Sequence, residues 1–239
     1  YIMLGSCYYQ ISDFQQAIRS FESALEIFDE LNDKEGIAII CNNIGGIRLK
    51  LGYYTEGLRN FIKAAGIFED IGDTYGAAAI YNNIAIVCRK QNDLDVSLEY
   101  YQQALRLSKE LDDTEMVSGI LHNMGSVLHD LERNDMALEY LNQAYHLRTE
   151  RHDEDGMSQT ARSLGTVYLN MGDEEKALHY YIMASEMNEK TKDFLGLAEC
   201  LGKMGVIYFN QKKYKESREN FEKSCRLGKE YGSIHVQKF

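Results

Sequence analysis

Apolar side chains recur along this chain at helical rather than strand spacing, in stretches broken by short polar segments. Residues 34–51 and 54–71 read as two amphipathic helices, A and B, each roughly 27 Å long at a rise of about 1.5 Å per residue. The pair returns every forty residues with no insertion or deletion. Gly5, Gly45, Ala85, Gly125, Gly165 and Gly205 fall in phase, followed twelve residues on by Ala17, Gly57, Ser97, Ala137, Ala177 and Ser217. Four further on stand the bulky Phe21, Phe61, Tyr101, Leu141, Tyr181 and Phe221, and three beyond those Ala24, Ala64, Ala104, Ala144, Ala184 and Ser224. Small residues at fixed places let two antiparallel helices approach closely, and the bulky residue is expected to fill the gap between repeats.

Helix limits repeat as well. Asp33, Asp73, Asp113, Asp153 and Asp193 each precede an apolar-periodic stretch, where a carboxylate oxygen can cap free backbone N–H groups. Gly52, Asn92 and Gly172 tolerate the left-handed conformation that ends a helix, whereas the equivalent Ser12, Glu132 and Lys212 suit it less. The expected architecture is all-α, a solenoid of six antiparallel helix pairs at approximately 1–32 (partial), 33–72, 73–112, 113–152, 153–192 and 193–232. Residues 233–239 are expected to start a seventh pair, so both ends fall inside a repeat and the segment is expected to be part of a longer protein.

The spacing of Leu4, Gly5, Tyr8, Ala17, Phe21 and Ala24 resembles the tetratricopeptide (TPR) signature, and so does that of Leu164, Gly165, Tyr168, Ala177, Tyr181 and Ala184. The resemblance covers the whole chain. It departs from the family in a period of forty rather than thirty-four and in lacking the usual Pro near the end of helix B. The longer variant is similar to the repeats of kinesin light chains, Pins-type scaffolds and bacterial Rap-type and sensor-kinase regulators. The resemblance implies a right-handed solenoid in which helix A lines a concave groove that holds peptides or partner proteins.

The groove positions implied by that resemblance hold Asn43, Asn83 and Asn123 in three consecutive repeats, with Asn42 and Asn82 beside them. An Asn donates and accepts at once. Helices packed about 8 to 10 Å apart match about three residues of extended chain at roughly 3.3 Å each, so such a ladder could clamp a peptide backbone. Alternatively, each Asn bonds across to the next repeat and fixes the superhelical twist. The same positions carry Lys50, Arg89, Lys90, Arg162 and Lys203 against Asp130 and Glu199, with His122 and His129 in addition. This basic strip favours an acidic peptide or an acidic helix face, unless the C-terminal cations merely answer the helix dipole. The Lys/Asn clamp by which some family members hold a terminal carboxylate is missing: His122 and Ser126 are followed by Ser163, then Glu199 and Lys203.

Composition narrows the alternatives. The 239 residues carry a formal net charge of −11 and a sequence pI near 5.1, which argues against phosphate-backbone binding by this segment. No apolar run is long enough for a membrane span, and no contact with a membrane is expected. Five Cys (Cys7, Cys41, Cys88, Cys200, Cys225) without metal-ligand or disulfide spacing read as small buried apolar residues in a reducing, cytoplasmic setting. His122 and His129 share a helical face but have Asp130 as the sole nearby carboxylate, so no metal is expected. No nucleotide, zinc-hydrolase or nucleophile-elbow motif occurs, and neither an enzyme nor a cofactor is expected. Two functions remain: an interaction scaffold whose groove takes a peptide, or the sensory arm of a bacterial signalling protein controlling an attached output domain.

Overall fold

The structure, a computed structural model, describes residues 1–236. Those residues form twelve helices and no strand: α1 (Ile2–Gln10), α2 (Phe14–Glu30), α3 (Lys34–Lys50), α4 (Tyr54–Ile71), α5 (Thr74–Lys90), α6 (Leu94–Glu110), α7 (Thr114–Asp130), α8 (Asn134–Glu150), α9 (Glu154–Asn170), α10 (Glu174–Thr191), α11 (Phe194–Asn210) and α12 (Tyr214–Val236). Odd-numbered helices are the A helices and even-numbered ones the B helices of six antiparallel pairs, an α-solenoid. The five Asp caps form as expected: the side chains of Asp33, Asp73, Asp113, Asp153 and Asp193 accept from the N–H groups of Gly36, Gly76, Met116, Gly156 and Gly196 at 2.9 Å. The chain divides into two compact units, one within residues 1–123 and one beginning at Met124.

In the first unit the hairpins close on glycine. A Cβ at Gly5 would stand 2.7 Å from the Phe21 ring, and one at Gly45 would stand 2.8 Å from Phe61. Each ring also reaches forward: Phe21 clusters with Ile40, Ile44 and Ile47 of α3, and Phe61 with Ile80, Ile84 and Val87 of α5. The bulky residue thus seals its own hairpin as well as the expected gap to the next repeat. Where Ala85 replaces the glycine, Ser97 adds a hydrogen bond from its hydroxyl to the Ala85 carbonyl at 2.8 Å. Between repeats, Phe28 lies over Gly36 and Phe68 over Gly76, so the same large-on-small fit recurs one helix later.

The second unit keeps the hairpin rule, with Leu141 on Gly125, Tyr181 on Gly165 and Phe221 on Gly205. Its seams between repeats are polar instead. Arg148 replaces Phe28 and Phe68 in register, and its guanidinium donates to the Gly156 carbonyl at 2.7 Å and to the Thr160 hydroxyl at 2.5 Å. Burial holds this guanidinium below its ordinary pKa, and Asp153 works against that shift. One repeat later Asn188 is buried, accepting from the Ser158 hydroxyl and facing the Cys200 sulfur. The tyrosines of the B helices pack largely inside their own hairpins: Tyr168 stacks on Tyr180, and the Tyr181 hydroxyl lies 3.0 Å from that of Thr166.

Every one of the eleven turns between the described helices contains one residue in the left-handed region, three of them Gly52, Gly72 and Gly172. The reservation about Ser12, Glu132 and Lys212 is corrected here, since their φ values are 62°, 60° and 60°. The turn geometry overrides residue preference because the following N–H closes a hydrogen bond back into the helix, as from Arg133 to the Leu128 carbonyl (2.8 Å) and from Lys213 to the Tyr208 carbonyl (2.9 Å). A second expectation changes at the other end. The α12 helix runs past residue 232 to Val236 without a break. There Ser233 stands in the register position that holds a capping Asp in the earlier repeats. The rest of the expected seventh pair, residues 237–239, lies outside the described residues.

Two stability changes follow. Glu132→Gly should relieve a left-handed side chain that costs about 1 kcal/mol, raising the thermal midpoint by about 2–4 °C. Gly45→Val should press on the Phe61 ring and cost about 1–3 kcal/mol, read as a lower midpoint in the same melt.

Candidate functional site

The face built by α3, α5 and the first half of α7 carries the asparagines. The Asn83 amide donates to the Asn42 side-chain oxygen at 3.0 Å, and the Asn123 amide donates to that of Asn82 at 3.2 Å. Both bonds span 41 residues, one more than the period. Adjacent A helices are therefore skewed by one residue, which sets the fifth position of one repeat beside the sixth of the next. The cross-repeat bonds form, and they leave capacity: each donating amide keeps a second N–H and its own oxygen.

Two hollows open along this face. One of about 410 Å³ is lined by Tyr9, Gln10, Phe21, Asn42, Asn43 and Asn83, among others. The second, of about 220 Å³, has Asn82, Asn83, Met116, Gly119, Ile120 and Asn123 in its wall. Asn83 belongs to both, so four of the five asparagines converge on it from either side. The aromatic floor from Tyr9 and Phe21 and the open ground at Gly46 and Gly119 escaped the sequence reading, which singled out polar groove positions. A Cβ at either glycine would meet nothing within 4 Å, which leaves backbone accessible to a bound chain. Their signal was small size at the ninth and second groove positions.

The cations divide by unit. Lys50 is exposed and its ammonium sits over the Tyr9 and Phe14 rings at 5.1 and 5.2 Å, at the edge of the larger hollow. Arg89 is half-buried and Lys90 exposed in the last turn of α5. In the second unit, Arg162 faces Glu199 at 3.2 Å and Asp193 at 4.0 Å, so counting it as a free groove cation overstated the basic strip. Lys203 is half-buried on α11. His122 is half-buried on α7 next to Asn123, whereas His129 bonds Asn134 at 2.9 Å and Asn170 at 3.0 Å. The last of these contacts again spans 41 residues. No asparagine ladder continues here; Ser163 occupies the ladder position and donates to the Gln159 carbonyl of its own helix at 3.3 Å.

Among the described residues no group of three or more His, Cys, Asp or Glu is placed to hold a metal ion. No described helix is long and apolar enough to cross a membrane. The reading of five buried cysteines holds for Cys41, Cys88 and Cys200 and is corrected for Cys7 and Cys225, which are exposed on the first and last helices. These helices lack a described neighbouring pair on their outer side. Burial raises the Cys41 and Cys88 thiols and pushes Cys200 up to about 11. At pH 8 a disulfide reagent should therefore modify Cys7 and Cys225 rapidly and the other three only after denaturation, as counted by released chromophore.

A tetratricopeptide repeat model matches residues 36–110, 117–190 and 158–230, and a second tetratricopeptide repeat model matches residues 1–30. No curated protein matches the chain. Among solved structures, BtubC (BKLC) from P. vanneervenii superposes with a TM-score of 0.78 at 18% identity, over 88% of this chain and 89% of that one. The Rap conjugation gene regulator of plasmid pLS20, solved in complex with the Phr* peptide, gives 0.70 at 18% identity over 98% and 74%. The nearly identical TPR-like repeats of a putative kinesin light chain from Podosopora anserina give 0.66 at 11% identity over 81% and 95%.

Proposed function

We propose that this chain, which belongs to the tetratricopeptide repeat family, is a non-catalytic interaction module whose first unit takes an extended peptide across α3, α5 and α7. One observation carries the reading: the asparagine pairs Asn42–Asn83 and Asn82–Asn123 stand at two adjoining hollows with donors and acceptors to spare. A chain laid across the A helices meets a new amide about every third residue. Backbone recognition of this kind fixes direction and register, while Tyr9 and Phe21 offer an apolar seat for one side chain. Lys50, Arg89 and Lys90 lie at the C-terminal ends of α3 and α5 and favour acidic residues on the ligand. The Rap regulator solved with a peptide supports a peptide ligand for this fold. The acidic pI speaks against nucleic acid as partner and the thiols fit a cytoplasmic setting.

A second reading draws on the same bonds. The amides that a peptide would take are those that now tie adjacent A helices, so occupancy would loosen the register between repeats. That coupling suits a sensory arm that transmits binding to an attached output domain.

The test begins with a pull-down using this chain and mapping of the bound segment. A labelled peptide of that sequence should bind Asn83→Ala about tenfold more weakly, the loss of one or two hydrogen bonds. Lys90→Glu should weaken it further at low salt, and Arg162→Glu should leave it unchanged. Wild-type affinity in both Asn83→Ala and Lys90→Glu would sink the proposal.

A further inference from the structure

The turns that lead from B helices into A helices form a different surface in the first unit. Residues 29–35, 69–75 and 109–115 hold eleven carboxylates against two lysines. The unit as a whole has eighteen carboxylates and ten Lys or Arg, so these three turns carry more negative charge than its net of −8. Everything else in the unit is close to neutral.

Helix capping accounts for only part of this. Asp33, Asp73 and Asp113 cap, and Glu35 and Glu115 lie in first turns, where acid is favoured. Asp29, Glu30, Glu69, Asp70 and Glu110 instead occupy the last turns of α2, α4 and α6, where the exposed carbonyls disfavour a carboxylate. Neither α2 nor α4 has a basic residue there to compensate. Local stability thus argues against these five acids.

Apolar side chains sit among them at the forty-residue period. Leu31, Ile71 and Leu111 are exposed at 69%, 39% and 39%. Beside Ile71 lies a hollow of about 220 Å³ with Phe68, Ala77 and Leu107 in its wall and Glu69 and Asp73 at its margin. In the second unit the same register holds Arg151 and Thr191, so the row ends with the first unit.

We infer that this edge is a second docking surface, separate from the asparagine face, for a basic protein segment with apolar residues at the repeat spacing. Charge complementarity selects the occupant: a ridge of this sign repels nucleic acid and anionic lipid and attracts Lys and Arg. Repeats about 8 to 10 Å apart match seven residues of helix at about 10.5 Å, so a basic helix with an apolar residue every seventh position would meet Leu31, Ile71 and Leu111 in turn.

The probe is a fluorescein-labelled helical peptide with three Leu at seven-residue spacing, each flanked by Lys. A scrambled peptide of identical composition serves as its control. Anisotropy should show the spaced peptide binding at least tenfold tighter than the scrambled one. The triple variant Leu31→Ser, Ile71→Ser, Leu111→Ser should remove that advantage, and Leu31→Ser alone, which touches only an exposed side chain, should reduce it if the triple variant melts early. Glu30→Gln, Asp70→Asn and Glu110→Gln together should weaken binding and flatten its salt dependence, whereas Asn83→Ala should leave it unchanged. Equal binding of the two peptides, or wild-type affinity in Leu31→Ser and in a folded triple variant, would overturn the inference. So would sedimentation showing a dimer of this chain that Leu31→Ser dissociates, because the occupant would then be a second copy.

Discussion

Close approach of two helix backbones over a missing side chain is the constraint on which the structure depends. At Gly5, Gly45, Gly125, Gly165 and Gly205 a bulky residue of the partner helix occupies the space a Cβ would need. The ring that closes one hairpin then presents its far side to the next A helix, as Phe21 does to Ile44 and Ile47. Intra-repeat and inter-repeat packing are therefore one contact, and a repeat cannot adopt its hairpin without preparing the surface on which its neighbour lies.

The one-residue skew between A helices follows from that packing and decides what the polar face can do. It brings Asn42 to Asn83 and Asn82 to Asn123, with the same offset that brings His129 to Asn170. Arg162 and Glu199 are 37 residues apart, three short of the period, which is the same flank one helical turn away. A single geometric offset therefore accounts for amide, imidazole and ionic contacts alike. Chemistry at each rung depends on which residue type occupies a fixed place.

Much of this was legible because a strict period converts residue identity into position. The Asp caps, the helix limits and the small-residue crossings each recur six or nearly six times, and each structural counterpart is found. What was not legible depends on neighbours that a period does not reveal. Arg162 looks like a free cation in the chain, since Glu199 meets it only once the helices are skewed. Glu132 looks like a poor turn residue, yet the hydrogen bond that fixes its conformation comes from the backbone of Arg133. Arg148 occupies a place that holds Phe in earlier repeats, and only burial reveals that its hydrogen bonds replace an aromatic seam.

The uniform turns have an evolutionary consequence. A junction with one left-handed residue between two helices contains no slack, and a single added residue would rotate everything downstream by about 100° about the helix axis. The glycine and its ring would no longer face each other, so length changes are penalised far more than substitutions at the same site. Side chains as different as Ser12, Asn92, Glu132 and Lys212 are tolerated at this junction because each preserves its length. Such a chain diversifies by exchanging what its faces display while its phase stays locked.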